Sequence, residues 1–398
     1  MVSVKKVYLD NAATTPVDSR VLKAMLPYFE NNFGNASSLH QFGLDARVAV
    51  DRAQKKIADF FACSKAEIYF TSGATESNNL AIWGLIQRLR LDQPGFRPHL
   101  IVSSIEHDAV LESVRALAAR GLAEVSYLPV TARGVVKVEK LVAAVKVNTV
   151  LVSVMYVNNE IGTIQPIEKI GASIAKLNRK RPQKIYFHTD ATQALNYCDC
   201  RVSRLGVDLL SFSGHKIYGP KGIGGLYLKS GVVLEPLFFG GHQQNNIRPG
   251  TYNVSGIVGL ATAIDLIGAS NRQRENQRIE KLRDRLIATV RREISGVILN
   301  GDLVKRSPNN ANFVFRGVEG ESLVLLLSER GIAVSTGSAC SSGSLEPSHV
   351  LAALGLAPEL AHGSLRVSLG RFNRQTDIDY FVTELTQAVK RLRKMSPL

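Results

Sequence analysis

Cysteine is scarce in this sequence, with four residues among 398: Cys63, Cys198, Cys200 and Cys340. So few and scattered thiols are too sparse for a disulfide framework, which favours a reducing cytoplasm. Cys198 and Cys200 are too close together for the usual zinc spacing, and no second pair of cysteines accompanies them. A resident metal site is therefore not predicted.

Long apolar runs are also lacking, and none approaches the length of a bilayer span. The first ten residues, MVSVKKVYLD, contain two lysines but no apolar stretch of the kind that forms a secretory signal. We therefore expect no membrane association.

Acidic residues are outnumbered, since 34 Asp and Glu face 49 Lys and Arg and give a formal net charge of +15. Such a charge attracts acidic proteins, phosphate-bearing ligands or nucleic acid, or else reflects a basic proteome or solvated helix faces. Much of the excess lies in Asn271–Glu293 and Lys390–Lys394, which have helical apolar spacing, and no aromatic-interleaved basic motif accompanies it. The helix-face interpretation is preferred, and a nucleic-acid-linked pathway stays open.

Apolar periodicity predicts an alternation of strands and helices, which is typical of a largely parallel α/β sheet covered on both faces. The predicted strands are Glu67–Phe70, His99–Ser103, Ala123–Pro129, Thr149–Val154, Ile185–Thr189, Asp208–Phe212 and Gly225–Leu228. The predicted helices are Val17–Asn31, Gln41–Phe61, Ala74–Arg90, His107–Arg120, Val138–Val145 and Ile167–Asn178. After about residue 260 the pattern changes to α+β. We therefore predict a large domain of residues 17–260 and a small domain of residues 1–16 and 261–398.

Polar residues follow several of these strands at the point where each strand ends. Parallel sheets bind ligands beyond the carboxyl ends of their strands, so these residues are expected to meet in one place. They are Thr71–Thr75, Glu106, His107, Asn158, Asn159, Asp190 and Ser213–Lys216.

The most informative pair is Asp190 with Lys216, each at the end of a neighbouring apolar strand. A lysine between a small hydroxyl-bearing turn and a glycine–proline loop suits an amine that forms a Schiff base with an aldehyde. A carboxylate suits a protonated pyridine nitrogen, and Gln193 lies three positions further on. Together they point to pyridoxal 5′-phosphate (PLP). A helix-capping aspartate is the alternative.

Three more strand ends fit parts of that cofactor. The turn Thr71–Thr75 precedes a helix, where backbone N–H groups suit a phosphate, although an ordinary N-cap has the same composition. His107 would stack on a flat ring, unless it only caps its helix. Asn159 would donate to a phenolic oxygen, and a simple turn is the alternative. Ser213 and His215 could share the phosphate.

Two residues in the last third of the chain complete the pattern. Cys340 lies in Ser335–Ser344, ten small residues that are mostly serine and glycine, and this favours a nucleophilic thiol on a mobile loop. Arg366 opens a predicted strand and suits bidentate capture of a substrate carboxylate, with a structural ion pair as the alternative.

The chain resembles a known family over nearly its whole length. It is similar to the cysteine desulfurases of the class V aminotransferase group, which are fold-type-I PLP-dependent transferases with a large, mostly parallel α/β domain and a small α+β domain. The motifs that carry the resemblance are YLDNAATTP, TSGATESNN, EHDAV, NNEIGTIQP, HTDATQ, SFSGHKIYGPKGIGGLY, STGSACSSG, EPSHVLAALG and SLRVSLGRF.

The resemblance implies a role for each candidate residue. Lys216 would carry PLP, Cys340 would accept sulfur from L-cysteine as a persulfide, and His107 would lie over the ring. Asp190 would face the ring nitrogen, with Gln193 and Asn159 near its phenolic oxygen. The resemblance places the phosphate among Ala74, Thr75, Ser213 and His215, with Thr251 from the other subunit of a homodimer. Arg366, with Asn159, would hold the substrate carboxylate.

Partners follow from the same resemblance. The persulfide would pass to a sulfur-acceptor protein, such as an iron–sulfur scaffold, or into tRNA thiolation. Transient iron–sulfur ligation by Cys340 is the one form of metal binding left open. A selenocysteine lyase or an aminotransferase of the same group is the alternative activity, and a scaffold protein without turnover is the alternative of another class.

One segment departs from the family pattern. It reads GGHQQNNIRPGT over residues 240–251, and Gln244 stands where the family has an acid. Asn246 stands where glycine is common, whereas Arg248 and Thr251 are retained. The resemblance therefore implies that PLP binding is little affected and that the departure bears on the conformation of this dimer-side loop and on partner preference.

Overall fold

The computed structural model describes residues 5–269, 272–337 and 347–395. Its main feature is a seven-stranded sheet in the order β2-β8-β7-β6-β5-β3-β4. Strands β3 to β7 run parallel, and β8 pairs antiparallel with both β7 and β2. These strands are β2 Ile68–Thr71, β3 His99–Ser103, β4 Glu124–Leu128, β5 Thr149–Ser153, β6 Tyr186–Asp190, β7 Leu209–Ser213 and β8 Gly224–Leu228. The predicted α/β fold, with a mixed, mostly parallel sheet, is confirmed.

Helices cover both faces of this sheet because its strands alternate apolar side chains between two cores. On β3, Ile101 packs into one core, whereas Leu100 and Val102 pack into the other. The helices of this part are α1 Ser19–Met25, α2 Pro27–Glu30, α3 Gln41–Phe61, α4 Ala74–Asn79, α5 Leu85–Asp92, α6 Asp108–Ala119, α7 Val138–Ala143, α8 Ile167–Asn178, α9 Val202–Leu205 and α10 Val254–Ala269.

A second core forms around a smaller sheet of order β12-β10-β9, with a two-stranded parallel pair of β1 and β11 beside it. Its strands are β1 Val7–Tyr8, β9 Val297–Asn300, β10 Asn310–Phe315, β11 Ile332–Ala333 and β12 Ser364–Ser368. Its helices are α11 Arg272–Glu293, α12 Gly320–Glu329, α13 His349–Ala353, α14 Pro358–Ala361 and α15 Gln375–Met395.

The chain passes from a core of the large sheet to the core of the small sheet near the connection between α10 and α11. Ile264 and Ile267 of α10 are buried in a core of the large sheet, whereas Ile279 and Leu286 of α11 belong to the core of the small sheet. Val7 packs with the small sheet as well. The division near residue 260 stays a prediction.

The structure differs from the predicted elements in several details. The helix predicted over Val17–Asn31 is wrong as a single element, because Pro27 has no N–H to continue it and begins α2 instead. The helix predicted over Ala74–Arg90 contains a π-helical turn at Leu80–Gly84. Strand β9 was not predicted.

No single helix in the described ranges is long and apolar enough to cross a membrane. The bent pair of α10 and α11 reaches the required length and composition only when both helices are taken together.

Candidate active site

The carboxyl ends of β2, β3, β5, β6 and β7 border a cavity of about 870 Å³. Predicted site residues from widely separated parts of the sequence line it together. They are Ala74, Thr75, His107, Asn159, Asp190, Gln193, Ser213, His215, Lys216 and Arg366. Thr251 does not line this cavity, and Cys340 lies outside the described residues. The individual roles of these residues stay predictions.

Lys216 ends a short 3-10 turn that follows β7. Its Nζ donates hydrogen bonds to the carbonyl oxygens of Ala12, at 2.7 Å, and Ala13, at 2.6 Å. Gln193 Nε2 also donates to the Ala12 carbonyl, at 2.9 Å. The N-terminal loop that contains Ala12 and Ala13 therefore lines the cavity, and the lysine amine lies where that loop contacts the strand ends.

Asp190 is the last residue of β6 and is almost fully buried. Its Oδ2 accepts from Asn78 Nδ2 at 2.7 Å, and its Oδ1 accepts from the Thr192 N–H at 2.9 Å. These two donors fix the orientation of the carboxyl group in the cavity wall.

His188 lies on the same face of β6, two residues before Asp190. Its ring is held between the hydroxyl of Ser153, at 2.8 Å from Nδ1, and that of Ser211, at 3.0 Å from Nε2. Burial lowers the pKa of His188 to about 4, although the nearby Asp190 opposes the shift. The imidazole is therefore neutral at pH 7 and does not neutralise the aspartate.

Another part of the cavity lining is suited to an anion. Helix α4 begins at Ala74 after the turn Ser72–Gly73, and its first residues line the cavity. The first N–H groups of a helix have no partner within the helix and suit an anion. The Ser213 hydroxyl faces the Gly73 turn, and the His215 Nδ1 lies 3.1 Å from the Thr14 hydroxyl. Burial, together with Lys216 and another nearby lysine, lowers the pKa of His215 to about 4. A neutral imidazole and a hydroxyl both supply hydrogen bonds to phosphate.

His107 is the N-cap of α6, and its Nδ1 accepts from the Ala109 N–H at 3.0 Å. In the neutral ring this bond leaves the proton on Nε2. The capping role that the sequence offered as an alternative is thus real, and it coexists with a position in the cavity wall. The cap fixes the direction of the ring.

Glu106, immediately before it, is fully buried in the same wall. Its Oε1 accepts from the Met155 N–H at 2.7 Å and from the Ser103 hydroxyl, whereas Oε2 has no partner among the described residues. Burial raises the pKa of Glu106 to about 8, because it outweighs those two hydrogen bonds, and Asp190 adds to the rise. This side chain is a neutral acid at pH 7.

Glu106→Gln is expected to change the pH dependence of stability. The folded protein keeps a proton that the unfolded chain releases above its ordinary pKa of 4.5, so the free energy of unfolding falls as pH rises toward about 8. Glutamine has no such proton, so its stability relative to wild type should grow with pH, by up to about 1.4 kcal/mol per unit. Thermal denaturation between about pH 5 and pH 8 measures the difference.

The control for that variant is Glu112→Gln, an exposed glutamate six positions along the chain. The stability of Glu112→Gln relative to wild type should not grow with pH in the same way. A constant difference between Glu106→Gln and wild type across this pH range would contradict a neutral Glu106.

Arg366 is buried on β12 and reaches the cavity from the small sheet. Its Nη2 pairs with Asp10 at 2.8 Å, and its Nη1 donates to the carbonyls of Asn159, at 3.2 Å, and Gly337, at 3.3 Å. Its Nε has no partner among the described residues. The guanidinium is therefore held in place by an ion pair while one of its donors is left for a ligand.

The chain on either side of residues 338–346 is anchored at this cavity. Gly337 and Pro347 both line it. The Ser348 hydroxyl donates to Glu160 Oε2 at 2.6 Å, and His349 Nε2 lies 2.9 Å from the Glu106 carbonyl oxygen. Gly337 and Pro347, the described residues on either side of residues 338–346, therefore both lie at the cavity wall.

Unpartnered polar atoms indicate what the cavity holds. Among the described residues, buried side-chain atoms without a hydrogen-bond partner include Asn78 Oδ1, Glu106 Oε2, Thr192 Oγ1 and Arg366 Nε, all on cavity-lining residues. Such atoms are costly unless a polar ligand meets them. With an amine, a carboxylate and an anion-binding helix end around them, these residues fit PLP.

Several residues of this wall had no role assigned from sequence. Asn78 lies one helical turn after Ala74, and that i, i+4 spacing was the available signal. Asp10, Ala12 and Ala13 belong to the quoted DNAATTP motif, but only the folded chain brings them to Arg366 and Lys216.

The fold and the cavity together define an α/β enzyme of the PLP-dependent kind. Comparisons with known proteins narrow this class. Residues 7–381 match the family described as Aminotransferase class-V. The chain is 50% identical over 394 residues to "Cysteine desulfurase IscS" of Methanosarcina thermophila, covering 99% of this chain and 94% of that protein. The chain therefore belongs to the class-V aminotransferase family, among the cysteine desulfurases.

Solved structures agree with this assignment. A structure titled "NIFS-LIKE PROTEIN" superposes with a TM-score of 0.89 at 36% identity, covering 97% of this chain and 100% of that one. Another, "SspA in complex with cysteine", gives a TM-score of 0.79 at 36% identity, covering 93% of this chain and 100% of that one.

Proposed function

We propose that this cysteine desulfurase binds PLP in the cavity at the strand ends and moves the sulfur of L-cysteine onto Cys340, releasing L-alanine. The observation that carries the proposal is the meeting of Lys216, Asp190 and Arg366 in one cavity. An amine, a ring-nitrogen partner and a carboxylate receptor are what an amino-acid substrate of PLP chemistry needs.

The residues that would hold the cofactor divide into three groups. The first N–H groups of α4, with Ser213 and His215, would bind the phosphate. Asp190 would keep the ring nitrogen protonated, and His107 would cover the ring. Gln193 and Asn159 would donate near the phenolic oxygen. When bound, PLP supplies an electron sink for negative charge at the substrate Cα.

The remaining steps belong to side chains of this protein. Arg366, with Asn159, orients the substrate carboxylate, and the Lys216 amine takes the Cα proton. The Cys340 thiolate attacks the substrate sulfur, and a sulfur–sulfur bond forms as the carbon–sulfur bond breaks. The electron pair of the broken bond stays with the carbon fragment, which gains protons and leaves as alanine. Reduction or transfer then removes the sulfur from Cys340.

The test is a product balance. Purified protein supplied with PLP, L-cysteine and a thiol reductant should release alanine and sulfide in equal amounts. With 2-oxoglutarate present as an amino acceptor, conversion of cysteine to 3-mercaptopyruvate in place of alanine would overturn the proposal and favour an aminotransferase. Turnover confined to selenocysteine would favour a selenocysteine lyase. The cysteine complex of SspA supports cysteine as the substrate class.

We further propose a homodimer in which Thr251 reaches the partner's phosphate site. Thr251 is exposed and lies outside its own cavity, which supports that assignment. Phe33 and Leu39 leave large apolar surfaces exposed, at 67% and 91%, in the segment before α3. Such surfaces are suited to burial against a second copy.

We also propose that the protein is located in the cytoplasm. The sulfur on Cys340 would pass to a sulfur-acceptor protein or into a nucleic-acid-linked pathway.

A further inference from the structure

The segment that departs from the family pattern has a strained backbone. Gln244, Asn245 and Asn246 all have positive φ, at 48°, 57° and 63°. Left-handed backbone is uncommon for residues other than glycine, and for glutamine more so than for asparagine. Such a conformation persists only when contacts with the rest of the protein hold it.

Gln244 makes those contacts with the open edge of the large sheet. Its Oε1 accepts from the Phe70 N–H at 2.6 Å, and its Nε2 donates to the Phe70 carbonyl oxygen at 2.9 Å. Phe70 lies on β2, the edge strand, so the side-chain amide takes the place of a neighbouring strand's backbone. A carboxylate could not do both, because it accepts hydrogen bonds and donates none.

Arg248 makes a second connection four residues later. Its Nε pairs with Glu76 Oε1 at 2.9 Å, and Glu76 Oε2 accepts from the Ser72 N–H at 2.7 Å. Burial opposes ionisation of Glu76, but the hydrogen bonds from Arg248 and Ser72 prevail, so its pKa is lowered. The ion pair thus fixes the backbone of the turn between β2 and α4.

Both connections converge on one short stretch of chain. Phe70, Ser72 and Glu76 flank the turn Gly73–Thr75, whose residues line the part of the cavity that is suited to an anion. We propose that Gln244 and Arg248 are positioning residues for the cofactor phosphate, which act by holding this turn from outside the cavity. The inference rests on the proposed PLP site.

Gln244→Glu tests the proposal. It should weaken PLP binding about tenfold, because the Phe70 carbonyl loses its donor and meets a carboxylate instead. Binding of pyridoxal, which lacks the phosphate, should change by less than about twofold. Full-length protein stripped of cofactor is titrated with each compound, and bound cofactor is followed by its absorbance.

Gln243→Glu is the matched control, since it introduces the same charge one position away. Among the described residues, the Gln243 side chain hydrogen-bonds through Oε1, which accepts from the Gly250 N–H at 2.9 Å, and a carboxylate keeps that bond. Its affinity for PLP and for pyridoxal should match wild type. Arg248→Lys loses the guanidinium geometry. Like Gln244→Glu, it should weaken the binding of PLP more than that of pyridoxal.

The outcomes separate the two proposals. If wild type binds PLP and Gln244→Glu binds it as tightly as Gln243→Glu does, the positioning role is overturned. Equal losses for PLP and pyridoxal would also overturn it, because the effect would not be confined to the phosphate. A wild-type protein that binds neither compound would overturn the proposed function itself.

Discussion

Lys216→Ala should abolish covalent attachment of PLP and reduce desulfurase activity by at least about 10³-fold. The rate estimate follows from the loss of a general base, which alone is worth about 10²–10⁴-fold. The lysine amine is also the group that would bind the cofactor aldehyde. Borohydride reduction followed by mass analysis of the protein measures the attachment, and alanine release measures the rate.

Lys221→Ala is the control for that variant. Lys221 also borders the cavity but lies exposed at its rim. It should retain a reducible bond to PLP at the wild-type stoichiometry. Persistence of that bond in Lys216→Ala would show that another amine carries the cofactor.

Cys340→Ala should separate cofactor chemistry from sulfur transfer. The residues that would hold PLP lie outside residues 338–346, so the bound-cofactor absorbance and its response to L-cysteine should be retained. Sulfide and alanine release should fall by about 10³-fold or more, because no thiolate remains to take the sulfur. Absorbance spectra and product assays on the same preparation measure the two properties.

The position of Cys340 in the chain supports that expectation. It follows Gly337, which lines the cavity, by three residues. The Gly337 carbonyl oxygen accepts a hydrogen bond from Arg366 Nη1 at 3.3 Å. The described chain just before Cys340 therefore contacts the residue proposed to hold the substrate carboxylate.

The other cysteines provide controls. Burial raises the pKa of Cys63 to about 12, and nearby Glu67 and Asp59 add to the rise. Burial also raises the pKa of Cys198 to about 12. Thiols in such surroundings carry little thiolate at pH 7. Cys63→Ala should therefore release sulfide at the wild-type rate, and a loss matching that of Cys340→Ala would contradict the assignment of the nucleophile.

The positions of many cavity residues could be predicted from the local sequence pattern. Asp190 and Lys216 each end an apolar strand, and a parallel sheet brings such ends to one edge. The fold class and the positions of His107 and Ser213 follow from the same argument. Sequence periodicity was sufficient here because strand and helix patterns are local properties of the chain.

Contacts between distant segments could not be predicted from local sequence pattern. Nothing in DNAATTP indicates that the carbonyls of Ala12 and Ala13 accept from Lys216, some two hundred residues away. The pairing of Gln244 with Phe70 depends on a backbone conformation that no pattern predicts for glutamine. Strand β9 was missed because its pairing with β10 comes from tertiary context.

The most direct test of the sulfur-transfer mechanism is the mass of the peptide containing Cys340 after brief incubation with L-cysteine in the absence of reductant. The mechanism predicts one added sulfur atom on Cys340 in wild type and none in Lys216→Ala. A wild-type protein that converts cysteine to alanine while Cys340 never gains sulfur would contradict it.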